Sequence, residues 1–220
     1  MDIGKNILLK ILPFFFLMSS DAFSQKKIIK KLTTNTKEIA IFTKGLDDLV
    51  LENSTSKFIE ILLYAEDTNK QHIVIEEKST KTEIKFKIPV FKSEDAVFRK
   101  FITKRLKRAS VTIKIPKKKE VSIFGEHINI SSKSYNGNLN VLIEKGIVKL
   151  DTIQQNLILK MYEGNIFGVL KKSNLTIASK IGKIKIDTVF YKKKYEENRM
   201  DIGKEISITT LKGNIFLTHR

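Results

Sequence analysis

A nine-residue pattern repeats six times without a gap between residues 135 and 188. Cut at this interval, the segment reads YNGNLNVLI, EKGIVKLDT, IQQNLILKM, YEGNIFGVL, KKSNLTIAS and KIGKIKIDT. The fifth residue of every unit is aliphatic, and so is the seventh except at Gly168. Because residues two apart on a β-strand point to the same side, both positions are predicted to face one interior.

The third and fourth positions of each unit carry turn chemistry. Glycine occupies the third position in four of the six units, and asparagine occupies the fourth in four. Glycine accepts a positive φ and asparagine tolerates it, so each unit is predicted to be a turn followed by a short strand. One such unit cannot enclose a core, but stacked units can. The repeat therefore predicts a β-solenoid whose coils contain two or three units, about 18 to 27 residues.

The repeat is interrupted after residue 188 by VFYKKKYEENRM and resumes as IGKEISITT and LKGNIFLTH. We expect the interruption to lie on the outside of one coil. Weaker alternation upstream predicts seven further strands. These are EIAIF near Ile39, LVLE near Leu49, FIEILL near Phe58, HIVIE near Ile73, TEIKFKIP near Ile84, SVTIKIP near Val111 and HINIS near Ile128.

The predicted fold is therefore all-β, a single solenoid domain over residues 25–220. Within it, residues 25–109 form an irregular β-rich part with one helix, and residues 110–220 contain the regular repeats. The sequence has no proline-, glycine- or serine-rich linker that would divide this domain. It also contains no cysteine, so burial and backbone pairing must stabilise the fold without disulfides.

The N-terminus has the features of a signal peptide. Lys5 and Lys10 give a positive start, the apolar run over residues 7–18 is shorter than a bilayer span, and Ala22-Phe23-Ser24 resembles a cleavage site. We predict that residues 1–24 are removed and that the protein is exported to the periplasm or the cell surface, with no transmembrane span after cleavage. The alternative is an uncleaved membrane anchor.

One segment, FKSEDAVFRKFITKRLKRA, differs from the rest because its apolar residues fall at helical spacing. A short amphipathic helix is predicted near residues 94–108. Its polar face would lie on an anionic membrane or on lipopolysaccharide head groups, or the helix would simply cover one end of the solenoid with its basic side in water. The basic residues of this face are Arg99, Lys100, Lys104, Arg105, Lys107 and Arg108.

The chain is strongly basic, with 41 lysine and arginine residues against 24 acidic residues and a net charge of +17. Nearly all of these cations are lysines, whereas recognition of phosphates and bases usually recruits arginine. Two explanations remain open, namely a biased genome and attraction to an anionic surface or polymer. Further candidates for anionic-surface binding are Lys117, Lys118, Lys119, Lys192, Lys193 and Lys194.

The sequence lacks a recognisable catalytic or metal-binding pattern. The adjacent carboxylates at residues 47–48, 76–77 and 196–197 would point to opposite sides of a strand and lie near turns or lysines. Neither a G-x-S-x-G motif nor a glycine-rich phosphate loop is present. The sixth repeat position carries no aspartate, which excludes a calcium-binding roll, and the three histidines have no thiol to assist them. We expect no enzyme, no metal, no cofactor and no small-molecule substrate.

Two stretches resemble a known family. The first is SVTIKIPKKKEVSIFGEHINISSKSYNGNLNVLIEKGIVKL and the second is GNIFGVLKKSNLTIASKIGKIKI. Together they resemble the DUF4097-type adhesin family of exported bacterial proteins, through a V-x-I-x-I-P strand, G-N-L/I-x-L/I units and an S-x-x-G-x-I-x-I close. The match covers about residues 110–188. It implies a right-handed β-solenoid with a surface or envelope role. The Ala22-Phe23-Ser24-Gln25 junction likewise resembles those of Bacteroidetes envelope proteins.

Three functional hypotheses follow from these observations. The first is an adhesin-like envelope protein that binds another surface through long flat faces. The second is a cationic module for lipopolysaccharide, acidic glycan or nucleic acid. The third is a polysaccharide-active enzyme, which would require two carboxylates in one groove.

Overall fold

The computed structural model describes residues 26–65, 72–87, 109–199 and 203–220, and every regular element in these ranges is a β-strand. The predicted all-β class is therefore confirmed for the described residues, as are the seven upstream strands. The strands are β1 (Lys26–Leu32), β2 (Glu38–Phe42), β3 (Asp48–Asn53), β4 (Ile59–Ala65), β5 (His72–Glu77), β6 (Lys81–Lys87), β7 (Ala109–Ile115), β8 (Glu120–His127), β9 (Asn129–Ser132), β10 (Leu139–Leu150), β11 (Leu157–Leu170), β12 (Asn174–Ser179), β13 (Ile184–Ile186), β14 (Val189–Tyr191), β15 (Lys194–Glu197), β16 (Glu205–Thr210) and β17 (Asn214–His219).

The strands form one mixed hydrogen-bonded sheet that can be followed as two rows. Row one contains β5, β6, β2, β8, the first half of β10, the first half of β11, β16, β12 and β15, in that spatial order. Row two contains β1, β4, β7, β3, β9, the second half of β10, the second half of β11, β17, β13 and β14. Strands β10 and β11 therefore belong to both rows.

The central strands pair in parallel with a constant sequence step. Leu139 is paired with Val121 on one side and with Leu157 on the other, a step of 18 residues in each direction. In row two, Val148 is paired with Ile130 and with Ile166 at the same step. Two nine-residue units therefore separate equivalent positions, and the step lies within the range predicted from the sequence.

The repeat positions predicted to face inward are buried. Fifth-position residues are at most 8% exposed, and the seventh-position aliphatic residues are at most 4% exposed. At the exception, Gly168, a Cβ would lie 3.0 Å from Leu217 Cδ2 and 3.5 Å from Ile153 Cδ1, so neighbouring aliphatic side chains fill that position. The inward residues of both rows join one hydrophobic cluster, as expected when the same face of every strand is apolar.

Glycines allow the chain to pass from row one to row two. Gly146 and Gly164 have φ values of +156° and +139°, and they are directly paired on β10 and β11. A Cβ on Gly164 would lie 1.9 Å from the Gly146 carbonyl oxygen. Only glycine permits both this conformation and this backbone approach, which explains why the third repeat position favours it. The strands continue through these two positions, so these two turns of the repeat are bends within a strand.

The spatial order of the strands differs from their order in the sequence. The C-terminal pair β16 and β17 lies between β11 and the pair β12 and β13, with Ile206 paired to both Leu157 and Leu175. Near the other end, β2 lies between β6 and β8. The repeat alone implied simple succession along the chain, and the structure shows that the last segment is inserted instead.

The segment that interrupts the repeat occupies the end of both rows. Strand β14 pairs antiparallel with β13, and β15 pairs antiparallel with β12. The sequence-based expectation placed this segment outside a coil, but its residues make backbone pairs because the last parallel strands would otherwise present unpaired edges. Very short edge strands with charged residues beside them are typical of protected sheet edges. At the other end, the antiparallel strands β5 and β1 occupy the corresponding positions.

Two predicted segments lie outside the described residues, namely the signal peptide at 1–24 and the helix near 94–108. The part of the chain that the structure describes contains no helix with the length and apolarity needed to cross a bilayer.

A buried carboxylate on row one is held by three lysines. Glu83 Oε1 lies 2.6 Å from Lys78 Nζ and 3.0 Å from Lys81 Nζ, and Oε2 lies 2.8 Å from Lys85 Nζ. The side chain of Glu83 is only 4% exposed. Hydrogen bonds from Lys78, Lys85 and Lys81 lower the pKa of Glu83 from 4.5 to about 2. The internal charge of Glu83 is thus neutralised by the lysines around it.

Replacing Gly164 by alanine is expected to lower the free energy of unfolding by more than about 1 kcal/mol, because the new Cβ meets backbone and the φ is strained. Urea titration measures the effect. Gly203→Ala is the control, since nothing lies within 4 Å of a Cβ at that position. Equal stability of the two variants would contradict the role of Gly164 as a required corner.

Replacing Glu83 by glutamine is expected to destabilise the protein at neutral pH. The folded-state pKa of about 2 lies below the ordinary 4.5, so the carboxylate stabilises the fold above that ordinary value and loses this effect as the pH falls toward 2. The stability difference between the parent and Glu83→Gln should therefore shrink across this interval in denaturant titrations. Glu126→Gln, at an exposed position, should show no such trend. A difference that stays constant with pH would argue against the lysine cluster.

Candidate functional site

The described cationic candidates from the sequence lie at two turns. Lys117 and Lys118 are exposed between β7 and β8, and Lys118 has a φ of 67°. Lys119 is partly buried, and its Nζ donates hydrogen bonds to the backbone oxygens of Thr34 and Thr36. Lys119 thus fixes the β1–β2 connection. At this turn, Lys117 and Lys118 are the lysines that extend into solvent.

The second turn, between β14 and β15, contains Lys192 and Lys193, and Lys194 begins β15. All three are exposed, and Lys194 forms a 2.6 Å salt bridge with Glu196. The structure therefore places these lysines at the end of the rows, apart in sequence and in strand position from the turn at 117–119. The predicted helix cations Arg99, Lys100, Lys104, Arg105, Lys107 and Arg108 lie outside the described residues.

The outer face of row two carries an aromatic pair between two lysines. Lys149, Phe167, Phe216 and Lys185 are directly paired, one on each of β10, β11, β17 and β13. The two rings are stacked, with centroids 5.2 Å apart and planes at 15°. Adjacent strands are about 4.8 Å apart, so this line of side chains crosses three strand spacings, about 14 Å.

A shallow groove of about 650 Å³ follows this line. Its floor is apolar, because Leu150, Gly168 and Leu217 from the inward positions lie beneath the outer side chains. One margin contains Asp151, Val169, Thr218 and Asp187, each two residues beyond a member of the central line. A ligand lying here would contact apolar surface at the centre, lysines at both ends and carboxylates along one side.

The other margin of the line is an asparagine ladder. Asn165 and Asn214 are paired on β11 and β17, and Asn214 Nδ2 donates to Asn165 Oδ1 at 3.0 Å. Asn214 Oδ1 accepts from the Lys183 backbone N–H at 3.0 Å. These bonds fix the strand register next to the rings, and they leave side-chain amide groups at the outer surface.

The lysines at the two ends of this groove have no carboxylate partner in the described part of the chain. Neither Lys149 nor Lys185 forms a salt bridge with a carboxylate of the described residues, whereas Lys145 is 3.0 Å from Glu163. Lys185 lies over the exposed ring of Phe190, 5.5 Å from its centroid. A ring face attracts a cation but leaves its ammonium hydrogens available. Both lysines are therefore available to an external anion.

Asp187, at the edge of the groove, is held by His219. The Asp187 Oδ2–His219 Nδ1 distance is 2.8 Å, and Asp187 Oδ1 accepts the His219 backbone N–H at 2.7 Å. The side-chain hydrogen bond from His219 is the main reason why the pKa of Asp187 is lowered. Glu197 Oε2 lies 3.9 Å from His219 Nε2, and Arg199 holds the other Glu197 oxygen. This corner is charged and ordered by its own partners.

A second aromatic pair lies on the outer face of row one. Phe42 and Phe124 are directly paired, with centroids 5.2 Å apart, and Lys85 Nζ lies 5.6 Å from the Phe42 centroid. Lys85 already binds Glu76 and Glu83, so the cation beside this pair is neutralised. A further groove of about 620 Å³ on this side is lined by Leu142, Met161 and Tyr162. Row two thus combines a stacked pair of rings with lysines that have no carboxylate partner among the described residues, which the Phe42–Phe124 pair does not.

The carboxylate pairs considered for catalysis have structural partners. Glu76 binds Lys85 at 2.7 Å, Glu196 binds Lys194 at 2.6 Å, and Glu197 binds Arg199. Asp48 accepts a hydrogen bond from Asn129 Nδ2 at 3.1 Å. Among the described residues, no group of three or more metal-binding side chains is close enough together to hold a metal ion.

Sequence reasoning did not identify the ring pair, although a signal was present. The tetrapeptide GNIF occurs twice, at residues 164–167 and 213–216. The structure pairs these two copies residue by residue from Asn165 with Asn214 to Phe167 with Phe216. Identical tetrapeptides in equivalent repeat positions would have predicted a stacked pair, but only if the C-terminal segment had been recognised as a neighbour of β11.

The fold is similar to that of a candidate cell adhesion protein from Clostridium sporogenes. The TM-score is 0.61 at 17% identity, covering 89% of this chain and 100% of that chain. Candidate adhesins from Bacteroides fragilis and Parabacteroides merdae match less well, with TM-scores of 0.36 and 0.37 at 13% and 15% identity; they cover 90% and 87% of this chain and 98% and 81% of theirs. No family model and no curated protein sequence gives a significant match. The first likeness indicates a shared fold.

Proposed function

We propose that this chain is an exported, non-enzymatic β-solenoid protein of the cell envelope with an adhesin-like binding role. The observation that carries the proposal is the 18-residue step between the parallel central strands β8, β9, β10 and β11, which stacks equivalent positions in line. Stacking of this kind produces two long outer faces on which side chains from many segments lie side by side. Such faces suit binding through many weak contacts.

The winding of the chain is part of this proposal. Strands β10 and β11 each contribute to both rows, and the next strand along the chain returns to the same relative position after 18 residues. This is the behaviour of consecutive coils in a solenoid. A right-handed turn is implied by the resemblance of residues 110–188 to the DUF4097-type family, and right-handed crossovers are the rule for parallel strands.

The adhesive role is supported by two independent features. The Clostridium sporogenes protein with a similar fold is named as a candidate cell adhesion protein. The N-terminal sequence of this chain has the charge, apolar run and cleavage site of an export signal. An adhesin must be exported before it can bind a partner outside the cell, so an export signal and an extended binding face are both expected of it.

The non-enzymatic part of the proposal is supported by the pairing of the carboxylates. A glycosidase needs two carboxyl groups facing one another across a substrate groove, about 5 to 9.5 Å apart. Glu76 binds a lysine of the neighbouring strand, Glu196 binds a lysine of its own strand, and Glu197 binds an arginine just after β15. In the row-two groove, Asp187 is engaged by His219. These arrangements neutralise charge and fix turns.

A cationic binding module in the periplasm is the second candidate function. The unpaired lysines at the two ends of the row-two groove favour it, together with the net charge of +17. Its ligand would be lipopolysaccharide, an acidic glycan or nucleic acid. Both functions use the same outer surface, and they differ in where the protein is located.

Protease treatment of intact cells separates the two locations. We expect full-length protein made in a Gram-negative host to be digested from outside, because an adhesin presents its faces to the exterior. A periplasmic marker protein in the same cells is the control, and it should survive until the outer membrane is opened. Survival of this protein together with the marker would contradict surface display and support the periplasmic module. Recovery in the cytoplasmic fraction would contradict both functions.

A further inference from the structure

We infer that the row-two groove between Lys149 and Lys185 is a binding site for a linear acidic polysaccharide. This inference rests on the proposed function, because it supplies the ligand class for an exported binding face. It depends on three features of the groove: the aromatic pair, the free lysines and the line of acceptors along one margin.

The aromatic pair provides an apolar contact surface. Phe167 remains 40% exposed although it stacks on Phe216, and the rings are held by neighbouring strands of the sheet. Exposed aromatic residues held by a rigid sheet contribute contact area at a small cost in conformational entropy. One side of a sugar ring is made of C–H groups, and these pack against such a surface without leaving a hydroxyl group buried.

The two lysines fix the charge of the ligand and its direction. They lie at opposite ends of the aromatic pair, about 14 Å apart across three strand spacings. Neither is neutralised by a carboxylate of the described residues. An extended chain running across the strands would place negatively charged groups at both ends and sugar rings over the phenylalanines. The span matches a short oligosaccharide segment within a longer polymer.

The acceptors along one margin favour a glycan over a nucleic acid. Asp151, Asp187 and Thr218 line the groove beside the rings. Carboxylates accept hydrogen bonds from sugar hydroxyl groups, which an acidic glycan carries on every unit. The sugar-phosphate backbone of DNA and the chain of inorganic polyphosphate carry no hydroxyl group that could donate to these acceptors.

Calorimetric titration with polygalacturonate tests this inference on the purified protein. Poly(dT) and inorganic polyphosphate are titrated separately as polyanions that are not glycans, and dextran is titrated as the neutral glycan. The groove variants are Lys149→Gln with Lys185→Gln and, separately, Phe167→Ser. The matched control is Lys117→Gln with Lys118→Gln, which removes the same charge from the exposed turn between β7 and β8. Thermal unfolding establishes that each variant remains folded.

We expect polygalacturonate to bind more tightly than poly(dT) or polyphosphate and dextran not to bind. Affinity should fall at least tenfold in both groove variants and less than twofold in the turn control. Equal losses in the groove and turn lysine variants would overturn the site, because they would indicate attraction by net charge alone. Tighter binding of poly(dT) or of polyphosphate than of polygalacturonate would overturn the ligand class, and so would a lack of polygalacturonate binding. The protease result above is independent of these titrations, so either conclusion can fail alone.

Discussion

Parallel backbone pairing in strict register is the interaction on which the rest of this structure depends. Each central strand is bonded on both sides, so a change of one residue in the 18-residue step would shift every inward side chain of that strand to the outer face. The nine-residue period keeps Leu139 between Val121 and Leu157. The corner must turn in the same number of residues each time, and the paired glycines at 146 and 164 satisfy this condition.

The same register also creates the outer surface. Phe167 and Phe216 are 49 residues apart in the sequence, yet they are direct neighbours because β17 is inserted between β11 and β13. Without this insertion, the lysines at 149 and 185 would not lie at the two ends of one aromatic pair. The end strands β14 and β15 complete the rows and place Phe190 beside Lys185. The candidate site therefore depends on the strand order, because that order brings its residues together.

The sequence predicted what depends on local periodicity. The alternation of aliphatic residues identified the inward positions and the upstream strands, because burial selects side chains at every second residue. The spatial order of the strands was not predictable, since units with the same inward pattern can pair equally well with several neighbours. The pair β14 and β15 was missed because strands of three and four residues are too short to show an alternation of apolar and polar residues. The outward-facing residues of the row-two groove were not predicted either, because they do not pack into the core and so follow no apolar pattern.

The central claim is that pairing of the repeat units side by side buries one residue of a unit and exposes the next residue to solvent. The most direct measurement compares Leu159→Ala with Ile158→Ala by urea unfolding, since Leu159 is 0% exposed and Ile158 is 49% exposed. The first change should cost about 2 to 5 kcal/mol through lost burial and a cavity, and the second should lie within about 0.5 kcal/mol of the parent. Equal costs, or a larger cost for Ile158→Ala, would contradict the account.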